Sequence, residues 1–129
     1  MLDTNIVSDL VRNPQGAVFD KIVEIGGDNL CVSIITAAEL RYGCARKGSP
    51  RLLQQVEAIL GGLEILPLDV PADAEYGGIR AELEVAGKPI GPNDLLIAAH
   101  AYALGATLVT ANVGEFTRIR GLRVENWLV

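Results

Sequence analysis

Short runs of aliphatic residues alternate along the chain with longer stretches in which apolar residues recur at helical spacing. The pattern predicts helices over residues 5–12, 15–25, 36–46, 50–60, 72–86 and 92–104. It predicts strands at the start of the chain, at 30–34, 64–68 and 107–110, and in the segment LRVEN near the end. Because strands alternate with helices, the chain is expected to adopt an α/β fold with a mostly parallel sheet.

Length and composition limit the possible classes of protein. A chain of 129 residues is expected to form a single domain over residues 1–129. No apolar segment reaches the length of a membrane span, and no signal peptide is recognisable at the start, so we expect a cytoplasmic protein with no membrane association. Cys31 and Cys44 lack the spacing of a metal site, and a buried free thiol is expected at Cys31, which lies in an apolar run.

The charged residues are unevenly distributed. The net charge is −5, which argues against a broad, sequence-independent hold on nucleic acid but allows an acidic pocket that meets phosphate through a metal ion. Basic residues nevertheless form two groups, and each group is either a solvated surface or a contact for a phosphate backbone. The first group is Arg41, Arg46, Lys47 and Arg51, and the second is Arg118, Arg120 and Arg123.

Acidic and amide side chains follow several of the predicted strands. Asp3 ends the first strand, Glu39 lies in the helix after the second, and Asn112 and Glu115 follow the strand TLVT. Asp94 lies in the first turn of a predicted helix. Because the carboxyl ends of parallel strands share one edge of a sheet, these side chains are expected to face one crevice there.

Each of these residues also has a purely structural interpretation. Asp3 or Asn5 can cap the first helix, Thr36 and Glu39 have the spacing of a capping box, and Asp94 can complement a helix dipole. Several carboxylates facing one another, however, repel and raise each other's pKa unless a cation neutralises them. Hard oxygen ligands suit Mg²⁺ or Mn²⁺, which can polarise a phosphoryl oxygen and activate water. The pattern therefore favours metal-assisted phosphodiester hydrolysis.

Five segments in order carry a resemblance to a known family. LDTNIVSDL, TAAELRYG, IGPNDLLIAAHA, LVTANVGEF and GLRVENW resemble the motifs of PIN-domain ribonucleases, and more narrowly those of the VapC toxins of VapBC toxin–antitoxin pairs. The resemblance implies a three-layer α/β/α sandwich and an Mg²⁺- or Mn²⁺-dependent endoribonuclease acting on structured RNA such as tRNA. It also implies a homodimer and a cognate VapB-type antitoxin that blocks the acidic pocket.

The resemblance assigns roles to individual residues. Asp3 and Asp94 match the two main metal-ligating aspartates, and Glu39 matches a ligand that binds directly or through water. Asn5 and Thr110 match polar residues that orient this cluster. The three acids are accordingly expected to be the catalytic residues.

One position departs from the family's pattern. Where a fourth acid is common, this chain has Asn112, with Glu115 three residues later. We therefore expect one firm metal site and a weak second one that uses Asn112 or Glu115. In the mechanism that we expect, the basic residues Arg41, Arg46 and Arg51 are candidates for contacts with the RNA backbone near the mouth of the pocket.

Two other functions compete with this prediction. Phosphatases of the haloacid dehalogenase type also place an aspartate after the first strand, but they need a second aspartate two residues later, where this chain has Asn5. A non-catalytic module that binds RNA or a protein partner is the other alternative, and only Asn112 favours it. His100, the single histidine, is expected to be a packed residue with a smaller chance of contacting substrate.

Overall fold

Seven α-helices and four short strands make up residues 1–129 of the computed structural model. The helices are α1 (Thr4–Arg12), α2 (Ala17–Ile25), α3 (Ile34–Lys47), α4 (Pro50–Gly61), α5 (Ala72–Val85), α6 (Pro92–Leu104) and α7 (Val113–Phe116). The strands are β1 (Cys31–Ser33), β2 (Glu64–Leu66), β3 (Leu108–Val109) and β4 (Val124–Glu125). A short 3-10 turn, Gly27–Asn29, precedes β1.

The first three residues connect two pairs of parallel strands. Strand β1 pairs with β2, and β3 pairs with β4, both in parallel. Leu2 forms a parallel bridge to Val109, and its N–H donates to the carbonyl of Cys31 at 2.9 Å. The N–H of Asp3 donates to the carbonyl of Val109 at 2.8 Å. The strand order is therefore β2, β1, residues 1–3, β3, β4, with residues 1–3 at the centre.

Successive residues of the central strands contribute to hydrophobic clusters on opposite faces of this sheet. Leu2 and Val109 belong to one cluster, together with apolar residues of α1, α2, α3 and α4. Met1 and Leu108 belong to the other, together with residues of α5, α6 and α7. Because alternate strand residues point to opposite faces, helices cover both sides of the sheet. The predicted α/β/α architecture is confirmed.

The predicted elements correspond closely to those observed, with three corrections. Helix α3 begins at Ile34 because Ser33 caps it, with its Oγ accepting the Ile35 N–H at 3.1 Å. The interpretation of Thr36 and Glu39 as a capping box is therefore wrong. The first strand is reduced to a single bridge at Leu2, and the short helix α7 was predicted only as a turn.

Two expectations from composition can also be compared with the structure. Both cysteines are free; Cys44 is buried and Cys31 is half-buried. None of the helices combines the length and the apolar character needed to span a bilayer.

Candidate active site

Asp3 serves as a helix cap and as the innermost acid of the candidate site. It is the N-cap of α1, where its Oδ1 accepts the Thr4 N–H at 2.8 Å. Its Oδ2 accepts the Thr110 hydroxyl at 2.8 Å. Burial raises the pKa of the Asp3 carboxyl, the bonds from Thr110 and Thr4 oppose the rise, and the charge of Glu39 adds to it. The interpretation of Asp3 as a helix cap is therefore compatible with its interpretation as an acid of the candidate metal site.

Asn5 and Thr110 hold this carboxylate in place. Asn5 donates through Nδ2 to Asp3 at 3.2 Å and to the Thr110 hydroxyl at 3.3 Å. The Asn5 side-chain oxygen accepts the N–H of Ala111 at 2.9 Å, and the Thr110 hydroxyl accepts the N–H of Asn112 at 3.0 Å. The chain after β3 is thereby fixed beside Asp3. These contacts agree with the orienting role expected of Asn5 and Thr110.

Glu39 lies on α3 and is held from two other helices. Its Oε1 accepts the Thr4 hydroxyl, and its Oε2 accepts the Asn93 side-chain amide at 3.4 Å. Thr36, one turn earlier on α3, lies 3.4 Å from the Thr4 hydroxyl. Glu39 as a whole is half-buried.

Sequence reasoning missed Thr4 and Asn93 as partners of Glu39. Each stands next to a predicted ligand in the chain, since Thr4 follows Asp3 and Asn93 precedes Asp94. Adjacency of a hydrogen-bonding residue to a predicted ligand was the available signal.

Asp94 is the most strongly perturbed titratable group of the site. Its pKa is raised to about 7, first by burial, then by a hydrogen bond with Glu115, and then by the charges of Asp3, Glu115 and Glu39. Ionising both Asp94 and Glu115 would place two negative charges side by side, which favours the protonated form of Asp94 in the metal-free protein. The structure thus brings all four acids into electrostatic contact, as expected for a carboxylate cluster.

Of the two candidates for a fourth ligand, only Glu115 interacts with Asp94. Asn112 is exposed and donates through Nδ2 to Glu115 Oε2 at 2.6 Å. Asn112 is also the N-cap of α7, but its side chain makes no capping bond. The amide therefore supports Glu115 from outside, while Glu115 faces the other acids.

The donor set fits a divalent cation, although its geometry is open. Nowhere do three histidine, cysteine, aspartate or glutamate side chains come close enough together to enclose a metal ion. The acids do repel one another, however, and a cation would relieve that repulsion. Carboxylate oxygens with room for water are the ligands that Mg²⁺ and Mn²⁺ prefer. The residues present therefore fit such an ion.

A groove of about 220 Å³ leads away from Thr4 and Glu39 between α1, α3 and α4. Arg12 and Lys47 supply its positive charge. Its apolar wall consists of Val11, Leu40, Cys44, Leu52 and Val56.

The three arginines proposed for RNA contact are outside the lining of this groove. Arg41 forms an ion pair with Glu57 of α4, which engages its guanidinium. Arg46 and Arg51 are exposed. Their role in RNA binding stays a prediction, and Arg12 and Lys47 are nearer candidates because they share a groove with site residues.

Comparisons with known proteins show which family the chain belongs to. The model of the PIN domain matches residues 1–122. The tRNA(fMet)-specific endonuclease VapC of Salmonella typhimurium is 40% identical over 98% of this chain and 96% of its own length. Ribonuclease VapC2 of Haemophilus influenzae (strain Rd) is 42% identical over 99% of this chain and 97% of its own length. In the crystal structure of VapBC2 from Rickettsia felis bound to a promoter DNA fragment, one chain superposes with a TM-score of 0.89 at 39% identity, covering 98% of this chain and 97% of that one.

Proposed function

Since this chain belongs to the PIN domain family and resembles VapC ribonucleases over nearly its whole length, we propose that it is a divalent-metal-dependent endoribonuclease. Its proposed substrate is structured cellular RNA such as tRNA, the substrate class that the name of the Salmonella relative specifies. The relatives carry nuclease names, which favours this function over a phosphatase or a non-catalytic module.

The observation that carries the proposal is the convergence of four carboxyl groups at one edge of the sheet. Asp3, Glu39 and Glu115 all raise the pKa of Asp94 through their negative charges. Such repulsion destabilises the folded protein and has no structural benefit of its own, whereas it is useful if a cation binds there. The preferred ion is Mg²⁺ or Mn²⁺, because no softer ligand lies among these side chains.

In the proposed mechanism, Asp3 and Asp94 hold the cation, and Glu39 assists directly or through water. When bound, the cation supplies Lewis-acid polarisation of the scissile phosphate and lowers the pKa of a water molecule. Thr110, Asn5 and the Thr4 N–H keep the Asp3 carboxylate in one orientation. Thr4 and Asn93 do the same for Glu39. With water as the nucleophile in place of the ribose 2′-hydroxyl and the 3′-oxygen as the leaving group, the products should carry a 5′-phosphate and a 3′-hydroxyl.

We further propose that one cation binds firmly and a second binds weakly, or only when RNA is present. The motive is Asn112, which lacks the charge of the acid found at that position in the family's pattern and contacts Glu115 instead. Titration of Mn²⁺ into metal-free protein should give a single tight site. Two tight and equivalent sites in the absence of RNA would contradict this proposal.

The direct test of the function is cleavage of a structured RNA by the purified protein. Cleavage should require Mg²⁺ or Mn²⁺, stop when a chelator is added, and resume when the metal is restored. Cleavage that continues unchanged in excess chelator would exclude the metal-dependent mechanism. Absence of any cleavage in the presence of either metal, over a panel of folded RNAs, would favour the non-catalytic alternative.

A VapB-type antitoxin is the proposed protein partner, since the solved relatives include VapBC complexes. The groove between α1, α3 and α4 supports this proposal because its apolar wall suits a helix and its end reaches Glu39. A basic side chain of the partner could then enter the acidic crevice. Inhibition of RNA cleavage by the antitoxin, added in equal amount, checks the proposal. The homodimer likewise stays a proposal, which sedimentation can test.

A further inference from the structure

The single histidine of the chain takes part in one of two fully buried hydrogen bonds between side chains. His100 lies on α6 and is 2% exposed. Its Nδ1 lies 2.8 Å from the Oγ of Ser33, a residue with no exposed surface. The other such bond joins Thr110 to Asp3 within the candidate active site. Burying an imidazole in the apolar, alanine-rich part of α6 is costly unless its polar atoms are satisfied, so the partners of His100 determine its role.

The partners of this imidazole suit one neutral tautomer. Ser33 Oγ accepts the N–H of Ile35 at 3.1 Å through one lone pair, and we assign its hydroxyl proton to the bond with His100 Nδ1. A neutral imidazole that accepts at Nδ1 carries its proton on Nε2. The backbone carbonyl of Pro67 also interacts with the ring. Burial lowers the pKa of His100 and thereby keeps the ring neutral near pH 7.

This network joins the segments that carry two acids of the candidate site. Ser33 ends β1 and caps α3, the helix that carries Glu39. His100 lies on α6, the helix that carries Asp94. Between α3 and α6 themselves, the only hydrogen bond that joins two side chains is the exposed one from Asn93 to Glu39, at 3.4 Å. The buried bond is therefore the stronger restraint on how α6 is placed against the start of α3.

We propose that His100 is a positioning residue: through Ser33 it fixes α6 against α3 and so sets the placement of Asp94 relative to Glu39. The inference rests on the proposed function of the carboxylate site. It assigns His100 no contact with substrate or metal. If the role of His100 is merely structural, changing it should lower only the stability of the protein. If His100 positions the carboxylates, the change should also lower the metal affinity and kcat.

Three variants separate these possibilities. His100→Leu removes the hydrogen bond while keeping a side chain of similar bulk. His100→Asn keeps an oxygen that can accept the Ser33 proton and is the conservative replacement. Ile97→Ala is the matched control, because Ile97 is a fully buried residue of the same helix that makes no polar contact. Three measurements are made on each variant. They are the Mn²⁺ affinity of the metal-free protein, kcat and KM for RNA at saturating Mn²⁺, and the unfolding midpoint.

Positioning predicts that His100→Leu weakens Mn²⁺ binding and lowers kcat, each by about tenfold or more, with KM for RNA nearly unchanged. His100→Asn should recover most of both losses. Ile97→Ala should lower the unfolding midpoint at least as much and leave Mn²⁺ affinity and kcat near the wild-type values. If His100→Leu lowers only the midpoint, or if Ile97→Ala lowers Mn²⁺ affinity and kcat equally, the proposal is wrong.

A spectroscopic measurement tests the network itself. Since the chain has one histidine, its ¹⁵N ring signals can be assigned without ambiguity. They should show a proton on Nε2 and an unprotonated Nδ1 that shifts in Ser33→Ala. A proton on Nδ1 would overturn the assignment. If the wild-type protein cleaves no RNA at all, the proposed function fails, and the Mn²⁺ affinities of the three variants still decide whether His100 positions the carboxylates.

Discussion

Replacing Asp94 by asparagine should lower the rate of RNA cleavage about 1,000-fold or more, which corresponds to about 4 kcal/mol of transition-state stabilisation. The substitution keeps the size of the side chain and removes one of the two charges that are proposed to hold the cation. Mn²⁺ affinity should fall together with kcat. The measurement is single-turnover cleavage of a structured RNA with Mn²⁺ in excess.

Asp73→Asn is a matched control for this substitution. Asp73 lies in the first turn of α5, as Asp94 lies in the first turn of α6, but it is exposed and is not among the groups that shift the pKa of Asp94. Any effect of an aspartate on the helix dipole is therefore shared by the two variants. If both variants cleave RNA at the wild-type rate, Asp94 has no role in catalysis.

Asp94→Asn should stabilise the metal-free protein, in contrast to its effect on activity. The pKa of Asp94 is raised from 3.8 to about 7 in the folded protein. A raised pKa means that folding favours the protonated form, so the stabilising contribution is complete below about pH 4 and is lost as the pH rises through about 7. Above that pH the ionised Asp94 is destabilising, and asparagine removes this penalty.

Because Asp94 is half-exposed, solvent screening reduces the size of this gain. We expect Asp94→Asn to raise the free energy of unfolding by about 1–2 kcal/mol at about pH 8, and by much less at about pH 5. Urea unfolding in the presence of a chelator measures both values. A variant less stable than the wild type at both pH values would show that the carboxylate stabilises the fold.

Phe116→Ala should lower the free energy of unfolding by about 3–5 kcal/mol. Phe116 has no exposed surface and packs in the hydrophobic cluster that α5 and α6 form on one face of the sheet. It belongs to α7, which has only four residues and is too short to be stable without tertiary contacts. The loss is a large part of the roughly 5–15 kcal/mol that stabilises a typical domain.

The substitution should also affect the candidate site, because Phe116 immediately follows Glu115 in α7. We expect weaker Mn²⁺ binding at temperatures where the variant is still folded. Phe19→Ala is the control, since Phe19 is an aromatic residue of α2 with 40% of its surface exposed, and its loss should cost less than about 1 kcal/mol. Equal destabilisation by the two substitutions would mean that α7 is not held by Phe116.

The convergence of Asp3 with the residues that follow β3 could be predicted because it depends on topology, whereas the family resemblance supplied the roles of Asn5 and Thr110. Parallel strands place their carboxyl ends at one edge, and the residues that follow two neighbouring strands must meet there. The helix limits were similarly predictable where a strong local signal exists, as at Pro92, which begins α6. No detailed knowledge of side-chain packing was needed for either prediction.

The predicted start of α3 is wrong because Thr36 and Glu39 have the local spacing of a capping box. Both Ser33 and Thr36 are hydroxyl residues at suitable positions, and Thr36 has a glutamate three residues later. The structure uses Ser33, and Glu39 instead contacts Thr4 and Asn93 on other helices. These contacts depend on how the helices pack, which the pattern along one segment does not encode.

The basic group at residues 41–51 and helix α7 also depend on contacts that the pattern along one segment does not encode. Four basic residues close together in the sequence suggested a surface for RNA, which stays a prediction. The sequence pattern did not show that Arg41 pairs with Glu57, an acid on the next helix. Helix α7 has too few residues for a periodic pattern, and the burial of Phe116 stabilises it. Both outcomes depend on contacts between segments that sequence patterns treat separately.

The most direct test of the central claim is to map the new 5′ ends of cellular RNA after brief expression of this chain, with Asp94→Asn expressed to the same level as control. We predict new 5′-phosphate ends at a small number of positions in structured RNA, present with the wild-type chain and absent with the variant. An RNA population that is unchanged by the wild-type chain, or identical cleavage by both proteins, would contradict the assignment of this carboxylate cluster as a ribonuclease site.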